Sequence, residues 1–104
     1  MDAGVTVVMV SGRLVLGKEV EKLETTIKDV AKQTPRLVVL DLSALDYADS
    51  AGIGTFVACL TLIRKSGGDL RMAGVNSRIQ KLFQITGIQH LMAMYPNVTA
   101  ATAG

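Results

Sequence analysis

The sequence predicts a small α/β domain in which a mixed, mostly parallel sheet is packed by helices. Three observations lead to this fold class. The chain has 104 residues, enough for one hydrophobic core, so a single domain over residues 1–104 is expected. Short apolar runs rich in β-branched residues alternate with segments whose apolar residues recur every three or four positions. Successive strands are therefore joined by helical crossovers, which connect parallel strands.

The first half of the chain contains three of the predicted strands and one helix. Val5–Val10 and Arg13–Leu16 are short apolar runs typical of strands. An amphipathic helix follows from Lys18, with apolar residues three or four positions apart, and Pro35 ends it. Leu37–Leu42 is apolar except for its aspartate, which is typical of a central strand covered on both faces of a parallel sheet.

The second half continues the alternation, which gives the order β-β-α-β-α-β-α-β and a short C-terminal helix. The predicted elements are a helix from about Ala51 to Lys65, a strand over Leu70–Val75, a helix capped by Asn76 or Ser77 and running to Thr86, a short strand over His90–Tyr95, and a stunted helix within 97–104. Gly67-Gly68 and Gly87 follow the two longer helices, where glycine commonly ends a helix.

Composition excludes several classes of function. Hydrophobic residues make up 49% of the chain and charged residues 19%, so a disordered chain is not expected. The net charge of +2, scattered basic residues and only four aromatic residues argue against direct nucleic-acid binding. No apolar run reaches the roughly 20 residues of a membrane span. The first four residues lack a signal sequence, so a cytoplasmic protein without membrane insertion is expected.

The most informative segment is 47–54, YADSAGIG, which enters the second predicted helix. Asp49 or Ser50 can cap this helix by accepting a backbone N–H bond. Gly52 and Gly54 are unusual there, because each costs about 1 kcal/mol relative to alanine inside a helix. We expect both glycines on one exposed shoulder where another molecule approaches Ser50 closely. A serine at a helix N-terminus is also a plausible phosphorylation site.

The run from Leu37 to Gly54, LVVLDLSALDYADSAGIG, resembles the signature of the STAS domain of anti-sigma factor antagonists. Further matching segments are Gly67-Gly68 and RIQKLFQITG over 78–87, and the resemblance extends from Val5 to about Val98. One departure follows the first strands, where many members of the family carry an acidic residue that faces the partner. This chain has Val15-Leu16-Gly17 there, an apolar approach to the first helix, which puts a typical anti-sigma kinase partner in question.

The resemblance implies a role in partner switching. The unphosphorylated domain would bind an anti-sigma factor that is also a serine protein kinase, phosphorylation of Ser50 would release it, and a PP2C-type phosphatase would reset the domain. The residues that the resemblance implies for partner binding lie on both sides of Ser50: Asp49, Ala51, Gly52, Ile53 and Gly54. Asp41 is implied as a supporting residue. The alternative is a non-catalytic scaffold or regulatory subunit, of the stressosome type or partnering a lipid-transport ATPase. Small-ligand or nucleotide binding rests only on loose family precedent.

The other polar residues leave several interpretations open. Asp49 is either a charge at the helix dipole or a group that orients the Ser50 hydroxyl, and Asp41 is either functional or a ligand of loop amides. Asp46 is interpreted as a turn residue. His90 is the only histidine and lies outside any nucleophile motif, so a serine hydrolase is not expected. A response regulator, in which an aspartate accepts phosphate, is not expected either. That fold needs an acidic cluster at the end of the first strand to hold Mg²⁺, and the first predicted strand has none.

No cofactor or metal is expected, and the chain is interpreted as a substrate and binding module without catalytic residues. Cys59 is the only cysteine, which excludes an internal disulfide and a multi-cysteine metal site. Its apolar neighbours predict a buried thiol.

Overall fold

A computed structural model describes residues 4–103, so the prediction of a domain over 1–104 also covers residues 1–3 and 104, which lie outside the described residues. The elements are β1 (Val5–Met9), β2 (Gly12–Leu14), α1 (Lys18–Lys32), β3 (Leu37–Asp41), β4 (Leu45–Ala48), α2 (Ser50–Lys65), β5 (Asp69–Ala73), α3 (Ser77–Thr86), a 3₁₀ turn (Ile88–His90), β6 (Met94–Tyr95) and α4 (Val98–Thr102). The predicted α/β order is confirmed, with β4 as an additional strand.

Four strands form the main sheet in the order β1-β3-β5-β6. Val5 lies opposite Leu37, and Leu37 lies opposite Asp69. The sequence predicted a mixed, mostly parallel sheet, and every pairing among the described strands is in fact parallel. The reason is that helical crossovers connect the paired strands.

A second, two-stranded parallel pair consists of β2 and β4 and lies beyond the carboxyl ends of β1 and β3. The Val10 N–H donates to the Asp41 carbonyl at 3.0 Å, and the Gly12 N–H donates to the Ala44 carbonyl at 2.9 Å. The two chain segments therefore stay side by side across the break between the sheets. As a result, the start of α2 lies beside the end of β2.

Strand β4 was not predicted, and this changes the interpretation of Asp46. Leu45 and Ala48 at the two ends of β4 are buried, Tyr47 is partly buried, and β2 pairs with the strand along one side. Asp46 lies within this strand with its side chain exposed, so its assignment as a turn residue was wrong. The four residues of β4 are too few for their sequence alone to predict a strand, and the pairing with β2 orders them.

The core lies on both faces of the main sheet. On one face, Val38 and Leu40 of β3 are fully buried in a large cluster with residues of α1, α2 and α3. Phe56 and Phe83 meet there edge to face, with ring centroids 5.9 Å apart and an interplanar angle of 84°. On the other face, Leu37 and Val39 pack with Ala101 of α4. The prediction that this central strand is covered on both faces is confirmed.

The last elements are shorter than the sequence predicted. The predicted strand over His90–Tyr95 begins as a 3₁₀ turn that includes His90, and only Met94–Tyr95 pair with β5. Asn97 caps the five-residue α4 by accepting the Ala100 N–H at 2.8 Å. Within residues 4–103, no helix is both long and apolar enough to span a membrane.

Candidate functional site

Asp49 caps α2, which starts at Ser50, one residue earlier than expected. Asp49 has extended backbone dihedrals, with φ −88° and ψ −176°, as an N-cap residue does. Its Oδ1 accepts the Gly52 N–H at 2.9 Å. The sequence left the cap open between Asp49 and Ser50, and the structure assigns it to Asp49.

The second oxygen of Asp49 binds a distant part of the chain. Its Oδ2 accepts the Leu16 N–H at 3.0 Å, across 33 residues of sequence. This backbone hydrogen bond is the main cause that lowers the pKa of Asp49 below its ordinary value of 3.8, and the bond from Gly52 adds to it. Asp49 is therefore ionised at neutral pH, and it joins the loop after β2 to the start of α2.

Ser50 is exposed as the first residue of α2. Among the hydrogen bonds of residues 4–103, none involves the Ser50 hydroxyl, whereas both Asp49 oxygens accept backbone amides. This geometry matches the capping role of Asp49 and contains no hydrogen bond that orients the Ser50 hydroxyl. Because the helix N-terminus favours negative charge, an anionic group on Ser50 is compatible with the fold.

The expectation that Gly52 and Gly54 share an exposed shoulder is wrong for Gly52. Gly52 is buried, and a Cβ built on it would collide with the Leu14 carbonyl oxygen and lie 3.1 Å from the Leu14 Cγ. Ile53 is also buried in the main core cluster. Of the residues expected to contact a partner around Ser50, Gly52 and Ile53 therefore offer it no side-chain surface.

Gly54 is exposed, and a Cβ built there would meet no atom within 4 Å. Ser50 and Gly54 are four residues apart and lie next to each other on one face of α2. Helical side chains lean toward the helix N-terminus, so a side chain at position 54 would lie over Ser50. The absence of a side chain at Gly54 therefore keeps Ser50 accessible.

Leu16 completes the surface and was not singled out as a site residue by the sequence. Its side chain is 77% exposed although it is large and apolar, and its N–H is held by Asp49. The unusual apolar run Val15-Leu16-Gly17 was the only signal for it. The α2 N-terminal surface comprises five residues: Leu16, Asp49, Ser50, Ala51 and Gly54.

Asp41 does not belong to this surface. It lies at the end of β3, and its Oδ1 accepts the Ser43 N–H at 3.1 Å. Strand β4 separates this turn from Ser50, and three residue steps along a strand cover about 10 Å. The Asp41 side chain thus binds a loop amide, which is one of the two roles considered for it.

The last candidate groups are the potential metal ligands and the single thiol. Among residues 4–103, no three His, Cys, Asp or Glu side chains are grouped to hold a metal ion. Cys59 is buried, as predicted, and desolvation, with a smaller contribution from the negative charge of Glu24, raises its pKa to about 12. The Cys59 thiol is therefore protonated at neutral pH and unreactive as a nucleophile.

Comparison with known proteins shows the family to which the chain belongs. The family model described as STAS domain matches residues 2–101. An anti-sigma-B factor antagonist from Staphylococcus aureus is 34% identical over 73 residues, which cover 70% of this chain and 68% of that protein.

Solved structures agree with this result. The crystal structure of an anti-sigma factor antagonist from Mycobacterium paratuberculosis matches with a TM-score of 0.80 and 28% sequence identity. The match covers 96% of this chain and 85% of that chain. The Bacillus cell fate determinant SpoIIAA in its phosphorylated form shares the fold at 20% identity and a TM-score of 0.72, with 96% of this chain and 89% of that chain covered.

Proposed function

Because the chain belongs to the anti-sigma factor antagonist family of STAS domains, we propose that it acts by partner switching through phosphorylation of Ser50. In this proposal, the unphosphorylated protein binds an anti-sigma factor with serine kinase activity in the cytoplasm. Phosphorylation releases that partner, and a PP2C-type phosphatase restores the binding state. The observation that carries the proposal is the exposed Ser50 at the start of α2, left uncovered by Gly54.

The α2 N-terminal surface supports a close contact with a protein. Gly54 exposes helix backbone without a side chain, Ala51 adds only a methyl group, and Leu16 offers an exposed apolar side chain beside them. A partner that packs on Leu16 and Gly54 has to exclude water from Ser50. The affinity of the unphosphorylated protein then comes from apolar contact and from shape.

A phosphate on Ser50 would oppose this contact in two ways. It adds about −1.5 to −2 charges next to Asp49, whose lowered pKa keeps it ionised, so the surface becomes strongly anionic. It also places a bulky group where Gly54 leaves space. The fold itself has no reason to change, because the Ser50 hydroxyl has no hydrogen bond to lose within the described residues and the helix dipole favours the added charge.

In this proposal Gly52 does not contact the partner but allows the loop after β2 to pack closely against α2. The close approach of Gly52 to the Leu14 carbonyl and the bond from Leu16 to Asp49 fix the loop after β2 against α2. Leu16 is therefore held near Ser50 before any partner binds. Such a preformed surface lowers the ordering cost of association.

The test is a kinase assay with a purified anti-sigma factor kinase, followed by phosphosite mapping. Ser50 should be the modified residue, and Ser50→Ala should abolish incorporation of phosphate without lowering partner binding. Ser77, which is also an exposed serine that begins a helix, serves as the matched control, and Ser77→Ala should be phosphorylated at the normal rate. Phosphate on another residue, or none at all, would favour the scaffold or regulatory-subunit alternative.

A further inference from the structure

A groove runs between α1 and α2. These helices pack in the large cluster on one face of the main sheet, whereas Val5 and α4 pack in the cluster on the other face. The groove has a volume of about 350 Å³, which is near the lower end of the range for pockets that bind small molecules. It therefore has room for one small molecule.

The floor of the groove is apolar. It is formed by Ile27 of α1 and by Cys59 and Leu62 of α2, and both Ile27 and Cys59 are buried. Burial is the main cause that raises the pKa of the Cys59 thiol to about 12, as is typical of a place from which water is largely excluded. Ala58 contributes only a methyl group to the α2 wall, so the floor can be reached by an apolar group of a ligand.

Three charged side chains line the same groove. Lys28 on the α1 wall and Lys65 on the α2 wall are exposed, and Glu24, one turn before Lys28, is partly buried. The Glu24 carboxylate lies close enough to the floor for its negative charge to contribute to the raised pKa of Cys59. Neither lysine forms an ion pair with Glu24 or with any other carboxylate of residues 4–103. The groove thus offers two positive charges and one negative charge around an apolar floor.

We propose that this groove binds a free α-amino acid with a large apolar side chain. The carboxylate of the amino acid lies between Lys28 and Lys65, its ammonium group faces Glu24, and its side chain covers the apolar floor. One carbon atom separates the two charged groups of an α-amino acid. Glu24 and Lys28 are neighbours on the surface of α1, with Cβ atoms about 5–6 Å apart, so the ligand reaches both at once.

The combination of charges distinguishes this ligand from other small molecules. An apolar carboxylate, such as a fatty acid, would cover the partly buried Glu24 carboxylate without giving it a partner, which is unfavourable. An apolar amine would pair with Glu24 but would lie beside the two positive charges of Lys28 and Lys65, which repel it. A zwitterion with an apolar body satisfies charges of both signs and buries the floor.

The groove is separate from the α2 N-terminal surface. Ala58, the first residue of α2 that lines it, comes eight positions after Ser50, which is about 12 Å along the helix axis. Binding of an amino acid therefore does not depend on phosphorylation of Ser50, and its failure would leave the proposed switch intact.

Titration of the wild-type protein, followed by NMR chemical shifts, tests the proposal with a matched set of ligands. L-Phenylalanine should bind with a dissociation constant of about 1 mM or below and should shift the amide signals of residues 24–28 and 58–65. Glycine lacks the apolar side chain, phenylethylamine lacks the carboxylate, and phenylpropionate lacks the ammonium group, so each should bind about tenfold more weakly or worse. No shifts with L-phenylalanine at about 10 mM, or equal affinity for any of the other three ligands, would overturn the proposal.

Substitutions in the groove test the assigned contacts. Glu24→Gln should weaken binding of L-phenylalanine by about tenfold, because it removes the charge that faces the ammonium group. The matched control is Glu21→Gln, the same change at an exposed position of α1 outside the groove, and it should bind normally. Ala58→Leu should fill the groove and abolish binding with little change in melting temperature, since Ala58 is exposed. Equal affinity of the two glutamine variants, or undiminished binding by Ala58→Leu, would contradict this site.

Discussion

Separate alanine substitutions of Gly52 and Gly54 test how the start of α2 is built. Both glycines lie in the first turns of the same helix, neither has a positive φ, and intrinsic helix propensity favours alanine at either position by up to about 1 kcal/mol. Their surroundings differ, because Gly52 is packed against Leu14 and Gly54 faces open space. We expect the two substitutions to change the free energy of unfolding in opposite directions.

The magnitude at Gly52 depends on whether the Leu14 carbonyl can move. This oxygen accepts the Asp49 N–H at 3.2 Å, and the Leu14 side chain is buried, so displacement weakens a hydrogen bond and disturbs the core. Overpacking of this kind costs about 1–3 kcal/mol. Allowing for the gain in helix propensity, Gly52→Ala should lower the free energy of unfolding by up to about 2 kcal/mol.

Urea denaturation followed by circular dichroism measures both values. Gly54→Ala should raise the free energy of unfolding by about 0.5–1 kcal/mol. Because the propensity gain is common to both variants, they should differ by the overpacking cost at Gly52, about 1–3 kcal/mol. Because both variants replace glycine by alanine, a difference in their stability reflects the surroundings of the two positions and not the side chain that is introduced. If Gly52→Ala is as stable as Gly54→Ala, the close contact between Gly52 and Leu14 is refuted.

Three further predictions concern the switch and the core. Gly54→Leu should keep or raise the melting temperature but slow phosphorylation of Ser50 and weaken partner binding, because the new side chain leans over Ser50; an unchanged phosphorylation rate would refute this. Asp49→Asn should lose the stability that depends on the ionised carboxylate. Since the folded pKa of Asp49 is lowered, that advantage of wild type is fully present above about pH 4 and lost as the pH falls through the folded pKa, which pH-dependent denaturation can follow; a constant difference would contradict it. Phe56→Ala should destabilise the fold by about 3–5 kcal/mol in denaturant titrations, because it leaves a cavity beside Phe83, and a loss below about 1 kcal/mol would be inconsistent with that packing.

Local patterns predicted most of the fold. The helices α1, α2 and α3 followed from apolar residues three or four positions apart and from their ends, and Gly87 ends α3 in the left-handed conformation that glycine favours. The run Leu37–Leu42, apolar except for Asp41, predicted the central strand because a strand covered on both faces needs apolar residues nearly throughout.

The features that the sequence did not predict depend on contacts between distant segments. Strand β4 is ordered by pairing with β2, about 30 residues earlier in the chain, and its own four residues carry little strand signal. Gly52 looked like a second exposed glycine because its cost in a helix is a local property, whereas its contact with Leu14 is a tertiary one. The same is true of the bond between Asp49 and Leu16, which makes Leu16 part of the candidate site.

The central claim is tested most directly by isothermal titration calorimetry of the anti-sigma factor kinase with the unphosphorylated and the Ser50-phosphorylated protein. Because juxtaposed like charges at a close contact cost several kcal/mol, phosphorylation should weaken binding by about a hundredfold or more. The melting temperature of the phosphorylated protein should stay nearly unchanged, since the helix N-terminus tolerates the charge. Equal affinity of the two forms, or loss of affinity only together with a large fall in melting temperature, would contradict a switch that acts at the α2 N-terminal surface.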